Sequence, residues 1–323
     1  MARASACVIA LPWGMKGAAT WSKSHPGCRR LFDKDMPLKL AFVQAPTAAQ
    51  LADARAAASR GEREPFFDDL HAVREELRRR GVEVRSTYSG QPLPLLKGLT
   101  AADIFAFGSL MTMSRWLQRF NWQALQAPSY PRALDHVLNR RTWRGSLASL
   151  QGGPMAQYKP VFAKPSRPCF SGGDRLDGRV WPSLDALAEA HPDLSQESFF
   201  CSEVVGWVSE YRCYVMHGRV LGIHPYQLLG RHCGRVDAAQ LECHVPDMRP
   251  DVVFVEQAIR QLEASGESLD GYALDFGLMA RGRMSLVELN DAISLTNYGL
   301  AVQDHVDLHL ARWQQMARNA CPP

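Results

Sequence analysis

The apolar residues change rhythm along this chain. Residues 38–44 hold the short apolar run Leu40 to Val43, the pattern of a buried strand. A polar stretch rich in Ala, Arg and Glu follows. From Phe66 to Arg80 the apolar positions 66, 67, 70, 73 and 77 repeat at helical spacing, and Gly81 stands where a helix would cap. Val82 to Ser86 and Asp103 to Phe107 read as two further strands. Strand, helix and strand with short connections predict a small parallel α/β unit. The spacing then predicts a helix over 133–150, ending at Gly152-Gly153-Pro154. Beyond it, strands dominate, at 156–164, 199–205, 209–216, 219–226 and 284–290. Helices are predicted at 183–190, 250–265 and 303–319. The sequence therefore reads as α/β leading into α+β.

Composition narrows the class. Of 323 residues, 46% are hydrophobic and 22% charged, enough apolar mass for a substantial core. The 37 basic and 33 acidic residues give a formal charge of +4, too mild and too dispersed for a nucleic-acid surface. Arg78, Arg79 and Arg80 follow Glu75 and Glu76, as on a solvated helix face. No apolar stretch approaches the roughly 18 residues that cross a bilayer. Residues 6–12 are apolar, but a single Arg precedes them, which does not make a signal peptide. Met36 directly precedes the first strand, so residues 1–35 are expected to be a disordered leader or the product of an upstream start. The eight cysteines fall at irregular spacing, several within strands, as for buried thiols in a reducing cytoplasm. His232-Cys233 and Cys243-His244 offer four zinc ligands on paper. Adjacent strand residues face opposite ways, however, and no C-x-x-C knuckle is present, so zinc is not expected.

Three segments carry charge where apolar residues are the rule. Lys164 closes the run Val161 to Lys164, and a loop ending in Gly172-Gly173 follows. A buried lysine requires an anion, and such a loop exposes amides to phosphate. Alone, the pattern also fits a surface lysine at a strand end. In Ser209 to Val215, Glu210, Arg212 and Tyr214 share one strand face. The densest signal is Asp275, set in Tyr272 to Gly277, followed by Glu288 and Asn290 on one face of Ser285 to Asp291. Arg281-Gly282 reads as the turn of a hairpin, which would make the two strands antiparallel neighbours. Three hard oxygen donors on one face suit Mg²⁺.

These motifs, in this order, resemble the ATP-grasp superfamily, and most closely the clade named for one arginine and two lysines. The likeness spans about residues 130–315, with a weaker one over 38–125. It implies two α+β subdomains clamping ATP over residues 129–323, preceded by a small parallel α/β domain over 36–128. It further implies that Lys164 contacts the ATP phosphates and the adenine edge. Glu203, Val204 and Val205 would form the hinge and meet the adenine. Glu210 would hold the ribose, and Arg212 the transferring phosphoryl group or the substrate acid. Asp275, Glu288 and Asn290 would hold Mg²⁺. The family's second lysine position carries Asn139-Arg140-Arg141; either an arginine substitutes or Lys159 takes the part.

The activity implied is a carboxylate–amine (or thiol) ligase, forming C–N bonds through an acyl phosphate and releasing ADP and phosphate. Its partners would be small-molecule or peptide carboxylates and amines. A phosphotransferase on the same fold and a non-catalytic nucleotide binder are the alternatives. No G-x-S-x-G nucleophile elbow is present, in keeping with chemistry that needs no protein nucleophile. His224, in the segment His224 to Tyr226 that ends a predicted strand, is expected either to line the substrate cleft or, as the commoner case, to be a hydrogen-bonded structural histidine. Tyr298 is expected to shape the acceptor side, and Arg312 to pack the last helix.

Overall fold

In the computed structural model, the described residues are 38–59, 65–122, 129–166, 170–171, 174–228, 231–232, 250–279 and 282–320. Strand β1 (Leu40–Ala45), helix α1 (Ala48–Ser59), α2 (Pro65–Arg79), β2 (Glu83–Tyr88), β3 (Ile104–Phe107) and α3 (Leu110–Arg119) come first. Their sheet is parallel, in the order β2-β1-β3. Leu40, Ala41, Phe42 and Val43 are buried, as a continuous apolar run in a doubly covered strand requires. Ser109 caps α3 by accepting a hydrogen bond from Thr112 N. Periodicity does not predict α1 or α3, whose apolar patterns are weak or short.

The expected helix over 133–150 is not one element. Residues Arg132–Val137 form a 3₁₀ turn, β4 covers Thr142–Ser146 and α4 covers Leu147–Gln151. The apolar residues of that stretch serve two cores. Leu134, Val137 and Leu138 join one cluster, whereas Leu147 and Leu150 join another. Asn139, at a φ of 50°, turns the chain between them, and Ser146 caps α4.

Strands β5 (Val161–Pro165), β6 (Phe170–Ser171), β7 (Asp174–Arg175) and β8 (Arg179–Trp181) follow, then α5 (Leu184–Ala190) and β9 (Ser198–Glu203). A four-stranded sheet runs β4-β9-β5-β8, with α4 and α5 contributing to its core. Strand β5 starts later than the expected 156–164. Pro154–Gln157 is a 3₁₀ turn, so Lys159 lies outside the strand and is exposed.

The larger sheet is formed by β10 (Trp207–Met216), β11 (Arg219–Leu228), β12 (Arg231–His232), β13 (Gly271–Met279) and β14 (Met284–Asp291). All its pairings are antiparallel, in the order β12-β11-β10-β13-β14. Helix α6 (Val252–Ser265) covers one face, where Tyr211, Cys213, Leu274 and Phe276 point. Helix α7 (Val302–Ala320) covers part of the other, with Leu308 and Ala311 against Tyr214 and Ala273. The opposite side of α7 supplies Val306, Leu310 and Trp313 to the core of the parallel sheet. One helix thus joins both regions. Of the possible zinc ligands, Cys233, Cys243 and His244 lie outside the described residues. So do Gly172-Gly173, Arg281 and residues 1–37, which include the expected leader.

Candidate active site

The site face of the larger sheet is the one that alternation leaves to Glu210, Arg212 and Asp275 once their neighbours enter the α6 core. Asp275 sits at the centre of β13, where eight of nine positions are buried. Burying a carboxylate this deeply is costly without a partner. Arg212 stands directly opposite on β10 and donates twice to it, Nε to Oδ1 at 2.8 Å and Nη2 to Oδ2 at 2.7 Å. Burial opposes the guanidinium charge, yet the Asp275 carboxylate holds Arg212 well above its ordinary value. Its Nη1 makes no hydrogen bond among the described residues.

The β13–β14 hairpin brings Glu288 opposite Asp275. Asn290 Nδ2 donates to Asp275 Oδ2 at 2.8 Å. The three oxygen-bearing side chains therefore converge on one face. From the smaller sheet, Lys164 at the end of β5 donates through Nζ to Glu288 Oε2. Burial acts against both charges. Each nonetheless favours the other, so the Lys164 ammonium moves up and the Glu288 carboxyl moves down from their usual values. Tyr130 and Phe200 lie beside the ammonium, with ring centres 5.4 Å and 6.0 Å away, and meet each other edge-on.

Glu210 lies at the margin of this cluster and accepts a hydrogen bond from the Tyr226 hydroxyl. Burial raises its carboxyl, as do the nearby charges of Asp275 and Glu288. The Arg212 guanidinium lies beside the Tyr226 and Tyr298 rings, 5.3 Å and 5.4 Å from their centres, which are themselves 5.7 Å apart. Glu203, Val204 and Val205 occupy the passage from β9 of one sheet to β10 of the other. The Glu203 carboxylate accepts from Arg141 N at 2.9 Å; Val204 is exposed and Val205 half-buried.

The basic positions before β4 are engaged elsewhere. Arg140 donates to the Leu138 and Leu286 carbonyls through Nη1 (3.1 and 2.6 Å) and to that of Val287 through Nη2 (2.6 Å). The last two belong to β14, an edge strand whose outer carbonyls need partners. Arg140 also rests between the Tyr130 and Trp207 rings, 5.7 Å from each centre. Arg141 donates to the Tyr158 hydroxyl. No hydrogen bond or ion pair among the described residues connects Lys159 to the acid cluster. Sequence reasoning missed Tyr130 and Phe200, since an aromatic beside a proline and one in an apolar strand are ordinary.

Among the described residues no three His, Cys, Asp or Glu side chains form a ready cation cage. The donor set of Asp275, Glu288 and Asn290 still fits a hard divalent cation. The three sit on adjacent strands, and the positive charges now balancing the carboxylates are side chains able to serve phosphate instead.

Residues 138–308 match a family model described as the ATP-grasp domain, family 2 of the clade of one arginine and two lysines. Curated proteins give no match. Solved structures similar to this chain include the D-cycloserine synthetase DcsG, with a TM-score of 0.48 at 14% identity, covering 87% of this chain and 99% of that one. Another is the D-alanine–D-alanine ligase from Bacillus anthracis complexed with ATP, with a TM-score of 0.44 at 11% identity, covering 88% and 97%. A third is the RiPP-associated ATP-grasp ligase of Chryseobacterium gregarium, in complex with ADP and a leader and core peptide. Its TM-score is 0.42 at 12% identity, covering 84% and 96%.

Proposed function

We propose that this chain, which belongs to the ATP-grasp family and within it to the clade of one arginine and two lysines, joins a carboxylate to an amine or thiol using ATP. The observation that carries this reading is the meeting of Lys164 from one sheet with Asp275, Glu288 and Asn290 from the other. Phosphoryl transfer demands alignment and charge neutralisation more than a protein nucleophile, and that arrangement supplies both.

In this reading the nucleotide lies between the two sheets. Lys164 exchanges Glu288 for the phosphates, Glu203 to Val205 line the adenine side, and Glu210 takes the ribose hydroxyls. Asp275, Glu288 and Asn290 would hold Mg²⁺, which when bound neutralises charge developing on the transferred phosphoryl group. Arg212, fixed by Asp275 and flanked by two tyrosines, keeps Nη1 for the substrate acid. The acid attacks the γ-phosphate to give an acyl phosphate, and an amine or thiol displaces phosphate from it. Arg140, tied to β14 carbonyls, supports the strand bearing Glu288 and takes no place at the phosphates.

Calorimetric titration of a non-hydrolysable ATP analogue tests this, with and without Mg²⁺, into the wild type and Glu288→Ala. Magnesium-dependent binding that the variant loses is the expected result. A folded wild type that binds no analogue would refute the reading. Release of free phosphate with an amide product separates a ligase from a phosphotransferase, which leaves a phosphorylated product and no free phosphate.

A further inference from the structure

Building on the ligase reading, we propose that His224 is the base that takes the proton from the attacking amine. Strand register sets its position. His224 lies on β11 directly opposite Arg212 on β10, Arg212 lies opposite Asp275 on β13, and Asp275 lies opposite Glu288 on β14. Directly opposed residues point to the same side of a sheet. The imidazole therefore stands on the face that carries the acid cluster, one strand beyond the arginine assigned to the substrate acid. Adjacent strands are about 4.8 Å apart, so it stands at the end of the row opposite Glu288, two strands from Asp275 and three from Glu288.

Two glycines make room for the ring. A Cβ at Gly222 would stand 2.6 Å from His224 Nε2, and a Cβ at Gly299 would stand 3.1 Å from Nδ1. Gly299 also adopts a φ of 115°, which side chains rarely tolerate. Tyr214 from β10 approaches the ring, 6.1 Å between centroids, and Arg212 is its cross-strand neighbour.

The expectation of a hydrogen-bonded structural histidine fails here. Neither ring nitrogen of His224 has a hydrogen-bond partner among the described residues, and the residue is half-buried. His309 shows the contrast: its Nε2 meets His305, and its Nδ1 is sealed in the core without a hydrogen-bond partner. Burial also lowers the His224 imidazole from its ordinary value, keeping it neutral and able to accept a proton at physiological pH.

The step balances simply. The amine nitrogen attacks the carbonyl carbon of the acyl phosphate and a C–N bond forms. The C–O bond to phosphate breaks, and phosphate leaves with the electron pair. The proton shed by nitrogen passes to His224 and from there to solvent.

The test compares two acceptors across a panel of free amino acids and dipeptides supplied as carboxylates. Hydroxylamine is unprotonated at neutral pH and sheds a proton to water only after attack, whereas methylamine is present as its ammonium and must lose a proton before it can attack. In His224→Gln, hydroxamate formation should persist while methylamide formation falls about 100-fold, within the usual range for general-base loss. Added imidazole should restore methylamide formation in His224→Gly, which a structural role would not produce. Equal loss with both acceptors would overturn the role of His224 and leave the ligase reading standing. A wild type forming no hydroxamate with any acid, although it binds the ATP analogue, would overturn both.

Discussion

The two sheets that meet at the site follow opposite plans. The larger sheet pairs its buried charges across neighbouring strands of one face: Asp275 is 1% exposed, and Arg212 on the next strand engages both its oxygens. The smaller sheet keeps an apolar core and contributes one cation, Lys164, at a strand end. The first arrangement is fixed by register and independent of the other sheet. The second depends on how closely the sheets approach, because Lys164 meets Glu288 only across the space between them. A protein that must admit and release nucleotide gains from this division. The anionic floor is assembled within one sheet, and the cation is supplied by the other.

Breaking the internal pair should have the largest effect. Asp275→Leu leaves the Arg212 guanidinium buried without a counter-charge, with an expected loss of about 3–5 kcal/mol in urea denaturation. Adding Arg212→Met should recover most of that stability without recovering nucleotide binding. A loss under about 1 kcal/mol in the single variant would mean that the pair does not organise the sheet.

Lys164→Met probes the contact between the sheets. ATP-dependent turnover should fall about 100-fold or more, the scale of losing one charge stabiliser. Tm should move by less than about 4 °C, because the pair is partly exposed and a stability loss near 1 kcal/mol shifts a domain of this size by only that much. A large fall in Tm with unaltered turnover would reverse the comparison.

Arg140→Ala sharpens it from the edge. Removing three carbonyl partners should cost about 1–2 kcal/mol and speed amide exchange around β14, while the smaller sheet exchanges as before. Smallest is Tyr226→Phe, which removes one hydrogen bond to Glu210 and should change stability by about 1 kcal/mol or less. Calorimetry on that variant should show weaker nucleotide binding with the magnesium requirement kept.

Much of the candidate site's geometry was legible where it is local. The β13–β14 hairpin sets Asp275 against Glu288 and Asn290 through a short connection, so alternation and turn residues suffice to bring the three together. Glu210 and Arg212 were legible for the same reason, lying two residues apart on one strand. Lys159 was misplaced in its strand because the Pro154–Gln157 turn delays the start of β5. The stretch 133–150 misled for a different reason: its apolar spacing suits a helix, but its two halves are drawn into separate cores.

Most strands, the faces their polar residues share and the hairpin carrying the acid cluster thus follow from the chain's own order of residues. They depend on side-chain alternation and short-range turn chemistry. It took the packing of whole sheets to bring Lys164 to Glu288 across 124 residues of sequence. The same packing set Tyr130 and Phe200 beside that lysine, secured an edge strand with Arg140, and left His224 beside Arg212 without a hydrogen-bond partner among the described residues. Such contacts depend on where entire elements come to rest against one another, and no local periodicity encodes that.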